Sequence, residues 1–197
     1  MTQGQITENT ERCEIIKNVI DTYKPNIILE IGTWKGLGST KCIIDSITSE
    51  VFFLSLETNK SFYDIATENL KGYENKVKLI YGRIVEKDEI LNFVRTINLN
   101  RWEEQWLRED LENVDKCENI LNEIPEKIDL LLLDGGEFST YSEWLKLKDR
   151  STIIMLDDTT VTKCKKINDE LKSSENYTLI FETLEGHGFS VFKKIND

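Results

Sequence analysis

The chain has 197 residues, 39% of them hydrophobic, which is enough for one well-cored domain and too few for two. Acidic residues outnumber basic ones by 36 to 25, giving a formal charge of -11, and no lysine or arginine block interrupts that field, which excludes nucleic acid and anionic membranes as partners. No apolar run approaches the ~20 residues of a membrane span, the start "MTQGQITENTERCEII" lacks the regions of a secretory leader, and Cys13, Cys42, Cys117 and Cys164 form no C-x-x-C pair; the expectation is a cytoplasmic protein with reduced thiols.

In chain order, a helical pattern at 11–23 leads into the strand "NIILEI" (26–31), a helix at 39–47, "VFFLSL" (51–56), a helix at 61–70 and "VKLIY" (77–81). The interval 85–127 then carries "EKDEILNFVRTI" and "RWEEQWLREDLENVDKCENILNEIP", which predict two helices inserted into a single domain, with Trp102, Trp106 and Leu107 on one apolar face. That face would serve core packing, a lid over substrate or a contact between two copies of the chain. "IDLLLL" (128–133), a helix at 139–147, "TIIML" (152–156) and a helix at 161–172 follow, before "YTLIFE" (177–182) and "GFSVFKK" (188–194). The first five strands are apolar on both faces, as in a parallel sheet covered by helices. The last two are joined too closely for a crossover and predict an antiparallel hairpin. The whole reads as an α/β doubly wound, Rossmann-like sheet of seven strands with helices on both faces.

Ligands of such sheets bind beyond the carboxyl ends of the strands. The segment "LEIGTWKGLGST" places Glu30, Gly32, Thr33, Gly36, Gly38 and Ser39 there, but a phosphate would be repelled by an acid just before the glycines. The spacing also fits G-x-G-x-x-G poorly, since Lys41 falls where the last glycine, counted from Gly36, would stand. Glu57 ends the second strand and can accept hydrogen bonds from a ribose diol. Glu57 thus indicates an adenosine and Glu30 a cation. S-adenosylmethionine, carrying an ammonium and a sulfonium and no phosphate, meets both demands, whereas a nicotinamide dinucleotide fails at Glu30 and at the glycine spacing.

The series "LEIGTWKGLGST", "LSLET", "DLLLLDGGEFSTYSEW" and "TIIMLDDT" resembles the class I S-adenosylmethionine-dependent methyltransferases. Within them it is similar to the small-molecule O-methyltransferases that include the macrocin and catechol enzymes, and to the cephalosporin hydroxylase family. The resemblance spans about residues 26 to 194 and implies a seven-stranded sheet with an antiparallel last strand. It also implies cofactor contacts at Glu30, Gly32, Thr33, Gly36, Ser39, Glu57, Gly82 and Asp134. After the third strand the chain departs from the family, reading "YGRI" where an acid or amide often meets adenine, so Arg83 is either a ligand contact or an ion-paired arginine.

Asp134, Asp157 and Asp158 follow the fourth and fifth strands, so their carboxylates should converge, and like charges in proximity need a compensating cation. Mg2+ suits such a donor set, and the resemblance implies metal ligands at these three positions. The ion would bind the acceptor hydroxyl and align it with the methyl group. Asp158 could instead cap the helix after it. Asp134 and His187 are the candidate catalytic groups, His187 either as a base or as an exposed turn residue. Glu137, Trp34 and Lys35 could line the pocket. The resulting expectation is O-methylation of a small hydroxylated molecule, such as a sugar of a surface polysaccharide or natural product. A non-catalytic module and a member with altered chemistry are the alternatives.

Overall fold

The computed structural model describes residues 6 to 48 and 50 to 195. Seven strands form one sheet in the order β3-β2-β1-β4-β5-β7-β6. β1 (Ile27–Ile31), β2 (Phe52–Glu57), β3 (Lys78–Tyr81), β4 (Ile128–Leu133) and β5 (Ser151–Asp157) are parallel. β7 (Phe189–Lys194) runs antiparallel between β5 and β6 (Tyr177–Thr183), so the hairpin inserts its second strand and leaves β6 at the edge.

Side chains alternate across a strand, and that alternation divides the core in two. Leu29, Ile31, Leu54, Leu56, Leu131 and Leu133 face one side, while Ile28, Phe53, Leu130 and Leu132 face the other. The second side is covered by α1 (Glu11–Tyr23) and α2 (Ser39–Ser46), through Ile16, Ile20 and Ile43. The first is covered by α4 (Lys87–Val94), α5 (Arg101–Lys116), α6 (Thr140–Leu147) and α7 (Thr162–Ser173), through Phe93, Val114, Trp144 and Ile167. α3 (Lys60–Asn69) connects β2 to β3. Among the described residues no helix is long and apolar enough to cross a membrane.

Two expectations are corrected. Cys13 and Cys42 form a disulfide, with Cα atoms 5.6 Å apart, because α1 and α2 pack on each other over the sheet; their sequence separation of 29 gave no hint of it. Only Cys117 and Cys164 are free thiols, both buried. In the insertion, α5 packs on the core through buried Val114 and half-buried Leu107 and Leu111, at helical spacing, so Leu107 does not share a face with Trp102 and Trp106, which point outward, 70% and 47% exposed. Asn100 starts this helix by accepting from the N–H groups of Trp102 and Glu103, and the Glu103 carboxylate accepts from the Asn100 N–H in return.

The turn after β1 passes directly under the end of β4. Gly32 has φ +102, and a Cβ there would lie 2.1 Å from the Asp134 carbonyl oxygen, so both the conformation and the space demand glycine. Gly32→Ala should destabilise the protein by about 3 kcal/mol or more. Urea unfolding checks this, and an unchanged midpoint would mean that the two strand ends do not meet as described.

Candidate functional site

A cleft of about 450 Å³ opens at the carboxyl ends of β1 to β4, with Gly32, Trp34, Glu57, Gly82, Asp134 and Gly135 among its walls. Glu57, the last residue of β2, is fastened on both oxygens: its carboxylate accepts from the N–H of Trp34 and from the N–H of Asn59, each at 2.7 Å. Trp34 takes a left-handed conformation (φ 50) to make that bond, and its ring meets Phe62 edge-on at 6.2 Å, with the Lys35 ammonium 4.5 Å from its centre. Burial pushes the Glu57 carboxyl up to about 7 against the pull of those N–H donors.

The insertion supplies the roof. α5 contributes Asp110, Asn113 and Lys116 to the cleft, and the Asp110 carboxylate accepts from the Phe138 N–H at 2.7 Å. Arg83 holds the other end of this helix, donating to the carbonyls of Val114 and Cys117 and pairing with Glu86. Of the two roles open to Arg83, the ion-paired one is what the structure displays, although the residue also borders the cleft.

Glu30 lies elsewhere than the ligand-facing position expected of it. It is fully buried behind the glycine turn, where it accepts from Ser39 Oγ at 2.5 Å, from Thr40 Oγ1 at 2.7 Å and from Ser55 Oγ. Thr33 joins the same network through Ser55, 2.5 Å away. Glu30, Thr33 and Ser39 thus brace the turn from beneath, tying β1, β2 and the start of α2 together, and none of the three borders the cleft. Gly36 packs on Leu70 and Ala66 instead. Gly32, Glu57, Gly82 and Asp134 do border it.

The three aspartates converge as the sequence predicts: one carboxylate oxygen from each of Asp134, Asp157 and Asp158 lies within 4.8 Å of the others. Asp158 adopts φ 59, and its carbonyl accepts from the N–H of Val161, the residue that precedes α7, at 3.4 Å. The cluster has cations of its own. Lys163 Nζ sits 2.8 Å from Asp134 Oδ1 and 2.8 Å from Asp158 Oδ2, and Arg12 pairs with Asp157 while also donating to the carbonyls of Glu185 and Gly186. Burial raises Asp134 and Asp157 even against the pull of Lys163 and Arg12, with neighbouring carboxylates adding to it; burial also opposes the charge of Lys163, but the two aspartates it touches outweigh that and hold it well above its ordinary value. The charge of the three carboxylates is thus already balanced in part by side chains. The donor chemistry suits a hard divalent ion, but a side chain already occupies the point where Asp134 and Asp158 meet.

Beyond this cluster lies a second cavity of about 840 Å³ between the insertion and α7, lined by Phe93, Ile97, Trp106, Glu137 and Val161 among others. Glu137 accepts from the Lys163 N–H at 3.1 Å, so Lys163 touches a wall of each cavity. His187 lines neither of them: it is exposed in the β6–β7 turn, and its carbonyl accepts from the Thr160 N–H and hydroxyl, both at 2.9 Å. The structure thus assigns it a backbone contact with the β5–α7 loop.

Sequence reasoning missed Arg12, Asp110 and Lys163. A signal existed for Lys163, because a lysine in the first turn of a helix opposes the helix dipole, and α7 has no acid in that turn to offset it. Such a lysine needs an acidic partner from elsewhere in the fold. Arg12 and Asp110 carry no comparable local signal, since their partners are distant in sequence.

No protein-family model matches the chain, and no curated protein sequence matches it either. Among solved structures it is similar to an O-methyltransferase from Bacillus cereus in complex with SAH, at 14% identity and a TM-score of 0.65, covering 97% of this chain and 84% of that one. It is also similar to the O-methyltransferase TomG from Streptomyces achromogenes, involved in tomaymycin synthesis and in complex with SAM, at 14% identity and a TM-score of 0.63, covering 96% and 82%. A methyltransferase from Geobacter sulfurreducens aligns at 10% identity and a TM-score of 0.64, covering 95% and 80%. The chain has the fold of these methyltransferases. Identities this low carry the architecture alone, so activity has to be argued from the site.

Burial pushes Glu30 up to about 7 despite its three hydroxyl donors. Between about pH 4.5 and 7 its carboxyl is then protonated in the folded chain and ionised in the unfolded one, so its contribution is present at low pH and lost as pH rises through 7, by up to about 3 kcal/mol. Urea unfolding of the natural chain should show stability falling from pH 5 to 8, with a flatter profile for Glu30→Gln; parallel profiles would contradict the burial of this carboxyl.

Proposed function

We propose that the chain is an S-adenosylmethionine-dependent methyltransferase that methylates an oxygen of a small hydroxylated molecule. The observation that carries this reading is the charge of the cleft. Glu57, Glu109, Asp110, Glu112, Asp134 and Glu143 border it with Arg83 and Lys116. Burial pushes Glu143 up to about 8 and Glu57 up to about 7, Lys163 pairs with Asp134 and Lys116 with Glu112, so Glu109 and Asp110 carry most of the negative charge, while Arg83 is committed to helix carbonyls and Glu86. Such walls repel the pyrophosphate of a dinucleotide and favour a cationic nucleoside. The cleft wall, and not the buried Glu30, is what favours a cation.

The chain's own residues divide the work. Glu57 faces the cleft from the tip of β2, the position from which a carboxylate takes ribose hydroxyls, and the Gly32 turn lets the backbone come close to the ligand. α5 covers the cleft and limits the access of water to it. The second cavity offers Trp106 and Phe93 as an apolar wall for a ring-shaped acceptor, with Glu137 and the Asp134–Lys163–Asp158 group at the boundary between the two cavities. When bound, S-adenosylmethionine supplies an electrophilic methyl carbon on a sulfonium, which an acceptor oxygen takes by direct displacement, leaving a neutral thioether. The hydroxyl proton must leave the acceptor at the same boundary, where Glu137 and the aspartates are the available carboxylates.

Calorimetric titration of the purified protein should show micromolar binding of S-adenosylmethionine and none of NADH. Glu57→Ala should weaken the former by about 1 to 3 kcal/mol, with its thermal midpoint measured in parallel because Glu57 also holds Trp34 and Asn59. Binding of NADH alone would overturn the assignment and return the cleft to a dehydrogenase reading.

A further inference from the structure

We propose that Lys163 is the resident cation of the aspartate cluster, taking the seat that a divalent ion would occupy, so that the cluster binds such an ion tightly only once Lys163 is removed. Three features support this. The Lys163 ammonium is 2.8 Å from an oxygen of Asp134 and 2.8 Å from an oxygen of Asp158, while its side chain is only 13% exposed, so it is built into the cluster rather than resting on it. It is delivered there by the first turn of α7, against the helix dipole, which the two aspartates offset. The backbone of the same residue is fixed as well, because its N–H donates to Glu137.

Charge and space both make the lysine and an ion alternatives. Lys163 and Arg12 already set two cations against three carboxyl groups; a divalent ion on top would put an excess of positive charge into a buried group, whereas an ion replacing Lys163 would at most match the carboxylates. An ammonium at 2.8 Å from both oxygens and an ion at about 2.1 Å from both cannot share the gap between them. Two neighbours on the same helix serve as contrasts: Lys165 pairs with Asp169, and Lys166 lies over the Tyr141 ring. Lys163 alone of the three is aimed into the cluster. As a statement about catalysis the proposal rests on the methyltransferase reading, with a tethered charge standing where an ion would otherwise face the acceptor oxygen. As a statement about ion binding it stands apart from that reading.

The test uses Mn2+ alone, followed by electron paramagnetic resonance, with the natural chain, Lys163→Met and Lys165→Met. Lys163→Met should bind one Mn2+ at least tenfold more tightly than the natural chain, whereas Lys165→Met, which removes the same charge from the same helix, should stay within about twofold of it. Equal affinity in all three, or an equal gain in both variants, would overturn the proposal. A second readout needs no variant: acylation of Lys163 by an amine reagent, followed by mass spectrometry, should be slow compared with Lys165 and should accelerate only when Mn2+ is high enough to bind. A natural chain that binds Mn2+ while Lys163 stays protected would also overturn it. Because neither readout involves S-adenosylmethionine, failure here is distinct from failure of the cofactor assignment.

Discussion

The constraint on which the rest of the site depends is the burial of carboxylates where parallel strands end. Glu30, Glu57, Asp134 and Asp157 stand at or just beyond the carboxyl ends of β1, β2, β4 and β5, and taking each from water costs several kcal/mol unless donors or cations replace the solvent. The chain meets that demand in three ways. Hydroxyls of Ser39, Thr40 and Ser55 surround Glu30, backbone N–H groups hold Glu57, and Lys163 with Arg12 balances the aspartates. Each solution also fixes a piece of backbone: the glycine turn, the Trp34 bend, and the placement of α7 and the β6–β7 turn. Compensation of charge and shaping of the cleft are therefore the same set of contacts.

This explains which parts were legible beforehand. The strands were, because unbroken runs such as "IDLLLL" and "TIIML" have no other use in a chain of this composition, and the short link before the last strand forces an antiparallel return. The convergence of Asp134, Asp157 and Asp158 followed from adjacency of β4 and β5. The role of Glu30 did not follow, because its three hydroxyl partners come from two other elements and their approach is a tertiary fact. The separation of Leu107 from Trp102 and Trp106 has a related cause. On α5 the stripe of Leu107, Leu111 and Val114 packs on the core, while Trp102 and Trp106 lie on another face and stay exposed, a choice that depends on how the helix sits on the sheet.

The insertion links fold to chemistry. α5 walls the cleft with Asp110, Asn113 and Lys116, and with Trp106 it walls the second cavity too, while Thr162 of α7 donates to Glu103 across the gap at 3.0 Å. Neighbours that share the sheet at 10 to 14% identity carry the architecture alone and specify no acceptor. In the proposed reading, acceptor specificity is assigned to the 85–127 segment and α7, which wall the second cavity, with the Lys163 group between the two cavities.

The central claim is that the acidic cleft holds an adenosyl group by its ribose. A crystal structure of the protein with S-adenosylhomocysteine tests it most directly. The account predicts the ribose hydroxyls within hydrogen-bonding distance of the Glu57 carboxylate, the nucleoside beneath α5, and Glu30 still enclosed by Ser39, Thr40 and Ser55. A nucleoside bound away from Glu57, or in the second cavity, would contradict it.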